Sequence, residues 1–162
     1  MNDNQKKISE SEDILQLVSF NISNEEFGID ILKVEEIIRI ISITQIPNSP
    51  DFIEGVVNLR GRVIPVVNLR TRLGFEKKGF DNQTRVIVVE VKGVTLGFIV
   101  DSVKEVLRIP KSITEPPPAI TTGINSEYIT AVGKLENRLL ILLDLEKVLD
   151  IKEKEAIAQT VN

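Results

Sequence analysis

The chain has 162 residues, 42% of them hydrophobic and 27% charged, with 24 acidic against 20 basic side chains for a net charge of -4. That usage belongs to a folded protein with room for one ordinary domain or two very small ones. Cysteine and histidine are both absent, which excludes a disulfide framework, a thiolate metal site and the usual proton shuttle. No cofactor or metal is expected. The acidic balance disfavours a phosphate-backbone partner, and 4% aromatic residues leave few rings for stacking on bases.

The first twelve residues are polar and of mixed charge, and read as a flexible tail without a signal-peptide pattern. Apolar runs along the chain stay well short of the ~20 residues a membrane helix needs. A soluble, cytoplasmic protein without direct membrane insertion is the expectation.

Ile, Val and Leu carry the apolar content, and two of the three are β-branched and favour strands. Strands are predicted at Ile14 to Ile22, Glu26 to Ile31 and Val34 to Ile40, the first two joined by a turn at Ser23-Asn24-Glu25. Glu35 and Glu36 would also fit a helical turn across Leu32 to Ile38. Phe52 to Leu59 and Arg62 to Val67 follow, around a turn at Arg60-Gly61, and a short helix is predicted over Leu69 to Leu73. The second half repeats the theme. Thr84 to Val91 and Val94 to Val100 flank Lys92-Gly93, then come Ser102 to Ile109, Ile129 to Leu135 and Arg138 to Asp144. Leu145 to Asp150 reads as a closing helix, and Lys152 to Gln159 as good helix formers in a C-terminal helical tail over 152–162.

The two halves are copies. FGIDILKVEEIIRI from Phe27 reappears as LGFIVDSVKEVLRI from Leu96, so that Gly28 matches Gly97, Val34 matches Val103 and Glu36 matches Glu105, an offset of 69. IEGVVNLRGRVIPVVNLRTRLG from Ile53 reappears as ITAVGKLENRLLILLDLEKVLD from Ile129, an offset of 76. The extra residues fall in Lys111 to Ser126, whose Pro116-Pro117-Pro118 reads as a stiff connector.

Five short strands per half are too few for a sandwich, and closing each set into a small barrel removes its exposed edges. The fold class is all-β: two pseudo-repeated five-stranded barrels packed together, with short helices at the ends of the repeats and the C-terminus. Residues 13–82 are assigned to the first barrel and 83–151 to the second. Whether strands exchange between the halves is left open. A half of about 70 residues buries only a modest core, so the barrels must share apolar surface, and the cleft between them is a natural groove.

Duplication also supplies an internal control. Asn58-Leu59-Arg60-Gly61 stands where the second half has Lys134-Leu135-Glu136-Asn137. Gly61 permits positive φ, and Arg60 offers a planar fork of donors suited to carboxylates. Gly55 becomes Ala131 in the repeat, which suggests that size matters there but glycine geometry does not. An enzyme would have to rely on carboxylate or hydroxyl chemistry; Thr121, Thr122, Ser126 and Tyr128 have neither a local base nor a phosphate-cradling loop.

FGIDILKVEEI, IPNSPDFIEGVVNLRGRVIPVVNLR and EYITAVGKLENRLLILLDLEKVL resemble the CheW family of chemotaxis coupling proteins, over about Ile14 to Leu149. The NLRG segment with its Pro-x-Val continuation is the specific part. A similar domain also occurs in the chemotaxis histidine kinase CheA and in a receiver fusion, but this chain has no kinase, phosphotransfer or receiver segment. The resemblance implies paired SH3-like barrels that bridge the cytoplasmic tips of chemoreceptors to the regulatory domain of CheA, without catalysis, in membrane-associated arrays. It implies a protein-binding surface of Val34, Glu36, Ile37, Gly55, Asn58, Arg60, Gly61, Arg85, Val86, Val88 and Val106. One departure is Asn68, where the family commonly has Asp, as its counterpart Asp144 does.

Overall fold

The computed structural model describes residues 13–49, 51–117 and 126–149. The 1–12 tail, residues 118–125 of the connector, and residues 150–162, which hold the end of the predicted closing helix and the 152–162 tail, lie outside these residues.

Hairpins form where the turn chemistry dictates. β4 (Ile53–Leu59) and β5 (Arg62–Asn68) meet at Arg60 and Gly61, with φ of 52° and 84°. β6 (Arg85–Val91) and β7 (Val94–Val100) meet at Lys92 and Gly93, with φ of 48° and 80°. Positive φ at both central residues gives the turn whose twist matches a right-handed hairpin. β1 (Ile14–Ile22) and β2 (Glu25–Asp30) form a third hairpin, and β10 (Ile129–Lys134) and β11 (Leu139–Leu143) a fourth. The remaining strands are β3 (Val34–Arg39), β8 (Ser102–Pro110) and the two-residue β9 (Thr114–Glu115). Helix α1 is Leu69–Arg72, capped by the Asn68 side chain, and α2 is Leu145–Val148, capped by Asp144. Asn and Asp cap about equally well, so the departure at position 68 leaves the cap intact.

The strands make two sheets, ordered β8-β1-β2-β11-β10-β9 and β3-β6-β7-β5-β4. Each closes towards a barrel. β8 runs through a 3-10 turn at Lys111–Ile113 into β9, which pairs with β10. In the other sheet, Thr44, downstream of β3, bridges Val56 of β4. β9 makes six strands where the sequence predicts five, and the Thr44 bridge is its counterpart in the first half.

The assignment of 13–82 and 83–151 to separate barrels is corrected by the sheet order. The β1–β2 hairpin lies in the sheet of β8 to β11, and β6–β7 lies in the sheet of β3 to β5. The halves have exchanged hairpins. Parallel pairing seals each exchange, Phe27 opposite Ile141 and Gly97 opposite Val66. The connections explain it. Only Asp101 separates β7 from β8, and a hairpin needs at least two loop residues. The chain cannot fold back on β7 and runs on into the neighbouring sheet. β2 passes to β3 likewise, through a 3-10 turn at Ile31–Lys33; the helical turn suggested for Leu32 to Ile38 is confined to this segment, and Val34 onward is strand.

Three apolar clusters follow. Val57, Leu59, Ile64, Val66, Val86, Val88 and Ile99 fill one barrel. Leu17, Ile109, Leu140 and Leu142 fill the other. The largest lies between them and draws on both halves, including Phe20, Phe27, Ile87, Phe98, Val148 and Leu149. Phe20 stacks on Phe27 with ring centroids 5.7 Å apart. Full burial of each such side chain contributes about 1.5–3 kcal/mol, so the shared core holds the barrels as one unit.

Candidate functional site

β3 is bulged against β6 between Val34 and Glu36, and its side chains alternate with the two-residue period of a strand. Val34, Glu36 and Ile38 are half-buried, while Glu35, Ile37 and Arg39 are exposed. The β4–β5 turn reaches this strand through charge. Arg60 pairs with the Glu36 carboxylate, and Arg62 Nη1 lies 3.4 Å from Glu35. The hydrogen bond to Glu36 and its negative charge hold the Arg60 guanidinium above its ordinary pKa. Asn58 Oδ1 accepts the Gly61 N–H at 2.8 Å and braces the turn. No Cβ would meet anything within 4 Å at Gly61, so this glycine serves the turn and not a close contact.

Gly55 behaves differently. A Cβ there would lie 2.4 Å from the Thr44 carbonyl oxygen, at a φ of 155°. The Thr44 segment closes the barrel against β4 at this point, so glycine is required, contrary to the expectation drawn from Ala131.

Six of the suggested residues thus come together on β3 and the β4–β5 hairpin: Val34, Glu36, Ile37, Asn58, Arg60 and Gly61. Ile37 and Val63 leave apolar surface exposed beside the charge pairs, 38% and 53% accessible. The others lie elsewhere. Val86 and Val88 are fully buried inside their barrel, and Val86 fills the space that a side chain on Gly97 would need. Neither side chain can touch a partner directly. Arg85 turns back on its own loop, donating to the carbonyls of Asn82 and Thr84 at 2.9 Å each. Val106 lies in the other sheet, opposite Val18, and is 57% exposed.

Val106 is the counterpart of Ile37, and the exposed Leu139 is the counterpart of Val63. Each barrel therefore shows the same apolar pair, with different charges around it. On the second barrel Glu105 takes Arg138, at 3.1 Å, because Glu136 stands where the first half has Arg60. Arg138 is held from behind by Glu26, whose buried carboxylate also receives Lys104 and the Ser19 hydroxyl at 2.5 Å. Burial opposes ionisation of Glu26, but the hydroxyl and the two cations outweigh it, and its pKa lies below the ordinary value. Sequence reasoning missed this network, because Ser19 and Glu26 have Val88 and Thr95 as counterparts. Ile31 and Val103 were missed as well. With Val34 they pack half-buried against the shared core, and the pairing of Val34 with Val103 in the repeat was the available signal.

Asp101 ties the barrels together. Its Oδ2 accepts Arg70 Nη1 of α1 at 2.6 Å and the Ser23 N–H of the β1–β2 turn at 2.8 Å. Arg72 adds a bond to the Val148 carbonyl at 2.8 Å, and its guanidinium lies 5.5 Å from the Tyr128 ring centroid.

Duplicated barrels joined through a shared core, each with exposed apolar residues and charge pairs on its strands, define a β-barrel module suited to binding other proteins. Comparison with known proteins makes this specific. Residues 16–153 match the family model described as CheW-like domain. The chain is 41% identical over 138 residues to the chemotaxis protein CheW of Klebsiella aerogenes, covering 85% of this chain and 83% of that one. It is 36% identical over 148 residues to the chemotaxis protein CheW of Thermotoga maritima, covering 88% and 93%. The crystal structure of the scaffolding protein TtCheW from Thermoanaerobacter tengcongensis superposes with a TM-score of 0.79 at 39% identity, covering 87% and 96%. The chain belongs to the CheW-like family and is a chemotaxis scaffold and coupling protein.

Proposed function

We propose that this protein couples the cytoplasmic tips of chemoreceptors to the regulatory domain of the histidine kinase CheA, by binding and without turnover. The surface centred on Glu36, Ile37, Asn58, Arg60 and Gly61, with Val34 at the edge of the shared core, is the primary docking site. Val106 extends it on the second barrel. Gly55, Val86 and Val88 act from behind, setting the strand positions, and Arg85 borders the same sheet. The observation that carries this assignment is the Arg60–Glu36 pair, which joins the NLRG turn to β3 in a chain belonging to a chemotaxis scaffold family. A scaffold role and the lack of any histidine or cysteine support binding without catalysis. The protein acts in the cytoplasm, recruited to membrane-associated arrays by its partners.

Co-sedimentation with a receptor cytoplasmic fragment and CheA tests this. Kinase activity is expected to rise only in the three-component mixture. An equal rise without this protein, or its failure to pellet with either partner, would refute the assignment.

A further inference from the structure

The second barrel holds two of its surface cations from the inside. Glu26 on β2 is buried, with its side chain 6% exposed. Its Oε1 takes Lys104 Nζ of β8 at 3.2 Å and Arg138 Nε of the β10–β11 turn at 2.8 Å, and its Oε2 accepts the Ser19 hydroxyl of β1 at 2.5 Å. Both cations therefore sit on one oxygen atom. Arg138 Nη2 also reaches Glu105 at 3.1 Å, while its Nη1 has no partner among the described residues. Lys104 and Arg138 stay 41% and 39% accessible. A partner can reach the cations but not the carboxylate that holds them.

The first barrel is built otherwise. Val88 and Thr95 stand in place of Ser19 and Glu26, and Glu35 in place of Lys104. Arg60 and Arg62 are answered there by Glu36 and Glu35 on the β3 strand. Because that barrel closes with Val88 and Thr95 at the two places, the fold itself does not call for a buried charge. A buried ion pair gives no clear gain in stability over apolar packing, so the Glu26 network needs another reason.

Its position supplies one. Val106, 57% exposed, lies two residues beyond Lys104 on β8, and Leu139, 59% exposed, follows Arg138. Val34 and Val103, near the starts of β3 and β8, both pack against the shared core. The docking surface assigned on the first barrel thus continues onto the second along β8.

We propose that Glu26 is a positioning residue of this docking surface, presetting Lys104 and Arg138 beside Val106 to receive a carboxylate of the receptor tip. The inference rests on the adaptor reading above. Glu26 touches no partner itself. Side chains fixed in advance lose little freedom on binding, and two cations whose shared counterion is buried favour an acidic surface.

Calorimetric titration with a receptor cytoplasmic fragment, at low and at high salt, tests this. Lys104→Gln together with Arg138→Gln should weaken binding about tenfold and flatten its salt dependence. Glu26→Gln alone should also weaken binding, but add nothing in the Lys104→Gln/Arg138→Gln background, because its effect runs through those cations. A Glu26→Gln loss that persists undiminished in that background would make Glu26 purely structural and overturn the proposal. Lys104→Gln alone leaves Arg138 on Glu26 and serves if the double variant does not fold; unchanged affinity and salt dependence there would overturn the proposal as well. So would weakened CheA binding with receptor binding intact, since the acidic partner would then be the kinase. Failure of the wild-type protein to bind the fragment would refute the adaptor reading and this proposal with it, whereas wild-type binding that ignores all of these substitutions would refute the proposal alone.

Discussion

Gly55→Ala puts the barrel closure to a quantitative test. The added methyl would lie 2.4 Å from the Thr44 oxygen, 2.7 Å from Ile43 Cγ2 and 2.9 Å from the Thr44 carbonyl carbon. Two of these three are backbone atoms, so a rotamer change cannot relieve the clash, and the Thr44 segment must move. Moving it breaks the reciprocal bonds Thr44 N–H to Val56 O and Val56 N–H to Thr44 O, both 2.9 Å. Two neutral backbone hydrogen bonds contribute about 1 kcal/mol each, and holding alanine in a backbone region that favours glycine costs about 1 kcal/mol more. The sum is about 3 kcal/mol, which for a chain of this size lowers Tm by about 6–12 °C. Urea unfolding and a thermal melt would measure it. Ala131→Gly, at the equivalent place in the other barrel, should cost only about 1 kcal/mol. Equal losses at the two positions, or a Gly55→Ala loss below about 1 kcal/mol, would refute the account of the closure.

Glu26 makes stability depend on acid. Its folded pKa lies below the ordinary 4.5, so its contribution is fully present above about pH 4.5 and is lost as pH falls through the folded value. Glu26→Gln should cost about 1–3 kcal/mol at neutral pH and flatten the acid limb of a urea-midpoint profile; an unchanged limb would show that the network titrates elsewhere. Arg60→Ala should keep the fold, since its ion pair is exposed, and weaken receptor-tip binding in a pull-down by about 5–30-fold. Undiminished retention of both receptor tips and kinase would remove Arg60 from the docking surface. Asp101→Ala strands the half-buried Arg70 and the Ser23 amide, at a cost of about 1–3 kcal/mol. Hydrogen exchange at Ser23 should accelerate, while the amides of Val86 and Val88 stay protected.

Most of the strand positions and turns were legible because they depend on local chemistry. Alternating apolar residues and the Arg60-Gly61 and Lys92-Gly93 pairs specify hairpins wherever they occur. Thr44 and β9 were not legible: a single bridge and a two-residue strand have no periodicity to detect. The docking face was legible in part. Glu36, Arg60 and Gly61 stood out through the contrast between repeats, whereas Val86 and Val88 belong to β6, whose residues Val86 to Val89 are all buried. A continuous apolar run does not reveal which side chains a partner could reach.

By itself the sequence determined that the chain is two copies of one small β unit, that histidine and thiol chemistry are unavailable, and which turn distinguishes the copies. Those properties are written in residue types and short spacings. Only the tertiary structure decided which hairpin completes which barrel. β1–β2 and β6–β7 are near-equivalents, and either would satisfy the same apolar pattern in either sheet. The single residue between β7 and β8 forbids local return and sends the chain across, and Asp101, Arg70 and Ser23 then tie the two sheets together.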